Sequence, residues 1–477
     1  MRPPSRGGGP AGQPASVQDC DVLIAGGTVI TMDAGRRILE DGAVAIRGNR
    51  IVDVGRRQEL VPRYRPARIL EGRGRVITPG LIQTHVHVSA EAAMRGTLPD
   101  TMPPSQWVRQ VTAFYAAMTP EEEALNATAT FVELVRTGTT CFVEAGTTKH
   151  TDAVIDAMGR VGIRGCVGTW SWDIPRQPAN LYQDTDQAIA RNESLIERYN
   201  GAHDDRVRVW TSPIGHTMTS DALLVGLKQL ADRHKTGMTM HLSSWLEDVR
   251  GYIERTGMRP VAYYRHLGVL GPNVLLAHMV NLDDEEVELV LQSGTMIAHC
   301  PTTAGWFGYG LTQVSRFPEM LARGATIGLG CDAQTCSNNL DVVRAMYSSA
   351  ILFRDARRDM AAMPAETMLE MATLHGARCA LQEDDLGSLE PGKKADVVLF
   401  DATRPEWRPL HNPVANLVFA ADGHSVDTVI IDGRVVLERG VMTTVDVEAT
   451  FRELERVGQR VLSATGWRTP MKWPVIG

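Results

Sequence analysis

His85 and His87 stand two residues apart near the end of the stretch VITPGLIQTHVHV, residues 76–88. Its apolar, β-branched first half reads as a buried strand, with the histidine pair at its C-terminal end. Strand period is two, so both imidazoles point to the same side. Two co-facing nitrogen donors are what a borderline-soft cation such as zinc takes from a protein. A bare His-x-His also describes two ordinary core histidines, so the weight falls on how later strands end.

Between Pro79 and about Leu386, strand-like and helix-like pieces alternate. After the His85 strand come TTCFVEAG, RGCVGTWSWD, RVRVWTSPIGHTM, GMTMHLSS, VLLAHMVNL, TMIAHCPTT and TIGLGCDAQT, making eight strands. Helical patterns separate them. PEEEALNATATFVELVRTG opens on proline and acids and closes on glycine, and SDALLVGLKQLADRHKTG has serine as its N-cap. Eight β/α units in roughly 300 residues fit a TIM barrel, an α/β fold. A doubly wound open sheet would carry a glycine-rich phosphate loop after its first strand, and none is present.

Such a barrel places its chemistry at the C-terminal ends of its strands. Strand one ends in His85 and His87, strand five in His241, strand six in His278, strand seven in His299 and strand eight in Asp332. Metal-competent side chains at five strand ends converge on one mouth, which a set of unrelated core histidines would not do. Trp170 and Trp172 after strand three, Trp245 after strand five, and Trp306, Phe307 and Tyr309 after strand seven lie in loops over that mouth. They form an apolar wall for a flat organic molecule, or they simply pack the loops.

Short β runs with glycine turns flank the barrel on both sides: DVLIAGGTVITM, GAVAIRGNRIVDVG and ARIL before it, KADVVLF and VDTVIIDGRVVLERG after it. The economical arrangement joins both chain ends in one β-sandwich lobe, with Asp432-Gly433 as a hairpin turn. The expected organisation is a disordered tail over 1–20 and lobe strands over 21–78 and 387–440. The barrel takes 79–386, and a C-terminal amphipathic helix and tail take 441–477, on the outer surface or against a partner subunit.

Composition bounds the rest. Of 477 residues, 43% are hydrophobic and 22% charged, and the net charge of -7 points away from nucleic acid. No apolar run reaches the ~20 residues of a membrane span, so no membrane partner is expected. Seven scattered cysteines without a Cys-x-x-Cys argue for reduced thiols and a cytoplasmic setting.

The stretches VITPGLIQTHVH, TFVELVRTGTTCF, NVLLAHMVNLDDEEVELV, IAHCPTT, IGLGCDAQTCSNNLD, MATLHGARCALQEDDLGSLEPGKKADVVLF and HNPVANLVFA are similar to the amidohydrolase superfamily. Within it, they resemble the branch of chlorotriazine hydrolases and of cytosine/guanine-type and S-adenosylhomocysteine deaminases. The resemblance spans nearly everything from Asp21 to Gly440. It implies a (β/α)8 barrel with a β-sandwich from both chain ends. It also implies one divalent metal, zinc first, with ferrous iron or manganese as alternatives, and a homo-oligomer acting on a small molecule.

Carried over residue by residue, the resemblance makes His85, His87, His241 and Asp332 the metal ligands. His278 becomes the histidine that orients the water, and His299 lies near the substrate. Asp332 would shuttle the proton from water to a departing amine. One position departs from the branch: three residues after His241, where it carries a glutamate that protonates the substrate ring, this chain has Ser244. A hydroxyl of very high pKa cannot replace that acid, although it can hydrogen-bond.

Glu144, His216, Glu247 and Asp248 are other candidate donors, and Trp172, Trp245 and Trp306 candidate substrate contacts. The leading expectation is a metal-dependent aminohydrolase of a nitrogen heterocycle. Its rival is an amide, lactam, urea or carbamate hydrolase, whose substrate needs no ring protonation. A non-catalytic barrel scaffold is the reading of another class, and it should have lost ligands that are all present.

Overall fold

The computed structural model describes residues 17–215 and 218–476. Eight parallel strands form its centre: β1 Leu81–Val86, β2 Thr139–Glu144, β3 Arg164–Val167, β4 Val207–Val209, β5 Met238–Leu242, β6 Val274–His278, β7 Met296–His299 and β8 Ile327–Leu329. They pair as two half-sheets, β1-β2-β3-β4 and β5-β6-β7-β8. Parallel bridges Thr211↔Met238 and Val86↔Asp332 join the halves. The backbone bonds Thr239 N to Thr211 O (3.1 Å) and Asp332 N to His85 O (3.0 Å) close a (β/α)8 barrel.

Side-chain alternation divides the core in two. Leu275, Ala277, Met296 and Ala298 pack in one buried cluster with Ile82, Cys141 and Cys166, inside the barrel. Their chain neighbours Leu276 and Ile297 belong to a separate, larger cluster with the helices. Helix α1 (Pro104–Ala117) and helix α2 (Pro120–Arg136) follow β1. The start of α2 is fixed locally: Thr119 and Glu122 form a reciprocal capping box, and Pro120 takes the first turn.

The stretch expected as one strand is two. Arg75–Pro79 pairs with Val397–Asp401 in the β lobe, and the chain re-enters at Leu81 as β1. Gly80 makes the handover, because a Cβ there would lie 1.9 Å from Thr140 Oγ1. The lobe contains a four-stranded sheet and a seven-stranded sheet, the latter mixing strands from both chain ends.

Two expected boundaries shift. Strand Gln18–Ala25 begins inside the predicted tail, where Gln18, Asp19 and Cys20 pair with Tyr64, Arg65 and Pro66; residues 1–16 lie outside the described residues. Val441–Met442 is a strand of the seven-stranded sheet, not part of the C-terminal helix. That helix, α3 (Val447–Thr465), lies against α1 and α2 of its own chain and buries Leu454, Val457 and Val461. Arg460 donates to Ala117 O at 2.9 Å and pairs with Glu122, bracing the end of α1.

Lobe and barrel are joined by a buried charge cluster. Arg164 on β3, 1% exposed, meets Asp396 at 3.1 Å and Asp432 at 3.0 Å. Arg206 and Lys394 also approach Asp432, at 3.5 and 3.4 Å. Asp432 occupies the expected hairpin turn between Val426–Ile431 and Arg434–Glu438. Replacing Arg164 leaves buried carboxylates facing too few cations, which typically costs about 3–5 kcal/mol. Arg164→Leu is expected to lower stability by about that amount in denaturant titration, without loss of the far-ultraviolet signal of the folded protein.

Candidate active site

His85 and His87 project from the end of β1, where the register against β2 slips between Gln83 and Val86. His241 lies on β5, His278 ends β6, and Asp332 follows β8. The backbone at His278 and Asp332 is left-handed, with φ of 74° and 63°. Strained conformations of this kind persist where the surrounding structure enforces them, and here both side chains turn into the mouth. Gly330 lets β8 approach β1, since a Cβ there would lie 2.9 Å from the His85 Cβ.

Five side chains therefore meet. Asp332 Oδ1 is 2.9 Å from His87 Nε2 and 3.7 Å from His85 Nε2, while Oδ2 is 3.8 Å from His278 Nε2. His241 Nε2 is 3.5 Å from His87 Nε2. Ligand atoms of His85, His87 and His241, and of His85, His278 and Asp332, form two overlapping groups whose members all lie within 4.8 Å of one another.

The donor set fits a divalent cation. Among the described residues both ring nitrogens of buried His85 lack a hydrogen-bond partner, an arrangement that is costly unless something else satisfies them. His241 directs Nδ1 to Ile214 O at 2.9 Å and thereby turns Nε2 inward. Several imidazole nitrogens with one carboxylate oxygen are a common zinc environment. Burial alone would raise the Asp332 carboxyl, but the hydrogen bond and the charge of His87 hold it far below the usual carboxylate range. Burial pushes His85 well below the usual imidazole value, toward the neutral form that ligates metals.

Above these groups opens a narrow pocket. Its walls include Trp107, Val111, Trp170, Trp245, Phe307 and Tyr309. Among the described residues, Asp332 is the one carboxylate in the lining, and no lysine or arginine joins it. Asp332, His278 and Trp245 line this pocket.

Several other expected contacts do not. His299 points between the barrel and its helices, with Nε2 3.1 Å from Ser349 Oγ and its ring against Phe317 and Phe353. Burial lowers its pKa to about 3, so it stays neutral. Trp172 packs behind Trp170, its ring centroid 5.7 Å away, and donates to Ile174 O. Trp306 is half-buried outside the lining, packed against the cluster that holds Trp107, Tyr115 and Trp170. Ser244 is buried off the lining, its Oγ without a partner among the described residues. Glu247 is exposed, Asp248 is buried outside the lining, and His216 lies outside the described residues.

Glu144 is buried beneath the pocket, where it accepts from Gly146 N at 2.7 Å, Thr147 N at 2.9 Å and Thr147 Oγ1 at 2.7 Å. Three polar residues that sequence reasoning missed stand beside it: Glu91, Tyr115 and Thr147. The Oη of Tyr115 and the Oγ1 of Thr147 lie 3.3 and 3.2 Å from His87 Nδ1. None ends a barrel strand, so strand-end inspection could not have found them.

Comparison with known proteins agrees with this architecture. The model of the amidohydrolase family matches residues 76–436. A 5-methylthioadenosine/S-adenosylhomocysteine deaminase from Syntrophobacter fumaroxidans is 33% identical over 442 residues, covering 92% of this chain and 98% of that protein. A zinc-bound adenosine deaminase from Xanthomonas campestris superposes with a TM-score of 0.88 at 27% identity, covering 94% of this chain and all of the other. A zinc complex of atrazine chlorohydrolase from Arthrobacter aurescens TC1 gives 0.84 at 25% identity, over 92% of this chain and 100% of the other. With this sequence likeness joined to a histidine and aspartate cluster at the barrel mouth, the chain belongs to the amidohydrolase family, as a metal-dependent hydrolase of carbon–nitrogen bonds.

Proposed function

We propose a mononuclear zinc aminohydrolase that removes an amino group from a flat nitrogen heterocycle carrying an apolar substituent. The observation that carries this reading is the placement of Asp332 beneath an aromatic pocket whose lining holds no other carboxylate and no lysine or arginine among the described residues. Such walls favour an uncharged, planar ligand over a sugar or phosphate. Relatives named as 5-methylthioadenosine/S-adenosylhomocysteine deaminases make thioether-bearing adenine nucleosides the first substrates to test. The seven buried, unpaired cysteines support a reducing, cytoplasmic setting, and a homo-oligomer is the expected assembly.

In this reading His85, His87, His241 and Asp332 hold the ion. When bound, a divalent cation supplies Lewis acidity, which brings the pKa of a water from 15.7 towards ~7. Asp332 divides its work between its oxygens. Oδ1 faces His87 and His85, whereas Oδ2 faces His278 at 3.8 Å and is the atom that holds the travelling proton. His278 fixes the direction from which the proton reaches Oδ2. The aromatic walls exclude water and keep the amine in reach of that oxygen.

Ser244 leaves the ring nitrogen without the acid of the related deaminases. Tyr309 is the available substitute for the hydrogen bond. It lines the pocket, stacks on Phe307 with centroids 5.5 Å apart, and its hydroxyl makes no hydrogen bond among the described residues. Burial pushes its pKa well up, so the phenol keeps its proton at neutral pH. It can donate a hydrogen bond but cannot deliver a full proton as readily as a carboxylic acid. For that reason Ser244 also favours a second reading, in which the substrate is an already polarised amide, lactam, urea or carbamate.

Ammonia release from adenine-nucleoside, pterin and triazine panels, run beside anilide, urea and carbamate panels, separates the two. Turnover confined to the second set would remove the aminohydrolase reading. Asp332→Asn is expected to lower kcat by roughly 10²–10⁴-fold while the thermal melt stays cooperative; a wild-type rate would take Asp332 out of the proton shuttle.

For the donor, Tyr309→Phe is expected to lower kcat about ten-fold, the scale of one hydrogen bond. Ser244→Glu is expected to raise deamination over hydrolysis of carbonyl substrates. Unchanged ratios in both variants would show that ring hydrogen bonding does not set the rate.

A further inference from the structure

Behind the pocket lining, buried, lie two carboxylates that the proposed proton transfer does not use, and both lead to the same ring nitrogen. Glu91 is fully buried, accepts a hydrogen bond from Ala90 N at 2.8 Å, and accepts another from the hydroxyl of Tyr115. Glu144, also buried, accepts a hydrogen bond from the hydroxyl of Thr147 at 2.7 Å. Each hydroxyl has a single hydrogen, and each has spent it on a carboxylate. What remains to face His87 Nδ1, at 3.3 Å from Tyr115 and 3.2 Å from Thr147, are oxygen lone pairs.

We propose that Glu91 and Glu144, acting through Tyr115 and Thr147, hold His87 with its proton on Nδ1, so that the Nε2 lone pair faces the metal. The inference rests on the reading of His87 as a metal ligand. With Nδ1–H held by two acceptors, the proton to be given up when an ion binds is the one on Nε2, which lies 2.9 Å from Asp332 Oδ1 and 3.5 Å from His241 Nε2. Partners of this kind orient ligating histidines and raise their basicity.

Tyr115 and Thr147 are therefore positioning residues, and they come from different elements: Tyr115 from α1, Thr147 from the loop after β2. The Tyr115 ring also lines the pocket, with its centroid 5.5 Å from that of Trp170. The wall that selects the substrate and the ligand that holds the ion are thus tied by one side chain.

The test measures metal binding, not turnover. Zinc affinity is read by chelator competition, and ligand geometry by the visible spectrum of the cobalt-substituted protein. The double variant Tyr115→Phe/Thr147→Val is expected to bind zinc roughly 10–100-fold more weakly and to shift the cobalt bands. Thr147→Ser, which keeps the hydroxyl, is expected to retain wild-type affinity and spectrum. A folded double variant with both properties unchanged would overturn the proposal.

Should the double variant not fold, the single variants decide. A loss of about three-fold or more in each supports the clamp, and wild-type zinc affinity in both overturns it. Wild-type protein that takes up no zinc would sink the metal reading itself, and the clamp with it, an outcome distinct from any difference among variants.

Discussion

The backbone hydrogen bond from Asp332 N to His85 O, 3.0 Å long, closes the barrel and assembles its chemistry in the same place. A parallel sheet of eight strands has two free edges until the last strand finds the first. Here the closing seam carries His85, His87 and Asp332. The opposite seam, between β4 and β5, is held by the bridges Thr211↔Met238 and Gly215↔His241, so it fixes His241 as well. The ligand set is thus a consequence of closure: strand ends that did not zip would leave the four side chains on separate half-sheets.

This arrangement concentrates electrostatic cost. Asp332 and the imidazoles are almost fully buried, and an unpaired charge in such surroundings is expensive. Without an ion the burden falls on the His87–Asp332 contact, which raises the histidine and depresses the carboxyl. A cation at the same point would take the His85 Nε2 that faces Asp332 and neutralise the carboxylate at once. The surrounding indole and phenyl rings keep water from screening these charges, which strengthens whatever interaction the site makes.

Much of this was legible in the sequence because strand ends carry position. Period-two alternation and eight repeats located the mouth, and the histidines and the aspartate stood out at its rim. The residues behind them were not legible. Glu91 opens a one-turn helix, Glu91–Met94, after β1, Tyr115 lies on the pocket face of a helix whose pattern reads as ordinary amphipathicity, and Thr147 is in a loop. Only the approach of these segments in space gives their hydroxyls a common target. The break at Gly80 was hidden for a related reason: Val76 to Val88 reads as one strand ending in the histidine pair, and only the close approach of Thr140 in space marks the handover from lobe to barrel.

His278 and His299 mark the limit of pattern reasoning most clearly. Each is the last residue of its strand, and each follows an alanine that faces the barrel interior, Ala277 and Ala298. Alternation alone would send both imidazoles outward to the helices. His299 obeys and packs between Phe317 and Phe353, neutral and remote from the pocket. His278 instead adopts a left-handed backbone, φ 74°, which breaks the alternation and swings its ring to 5.7 Å from Tyr309 and its Nε2 to 3.8 Å from Asp332. The same residue type at the same place in adjacent strands does different work because one dihedral angle differs, and that angle is set by the loop that follows, not by the strand that precedes it.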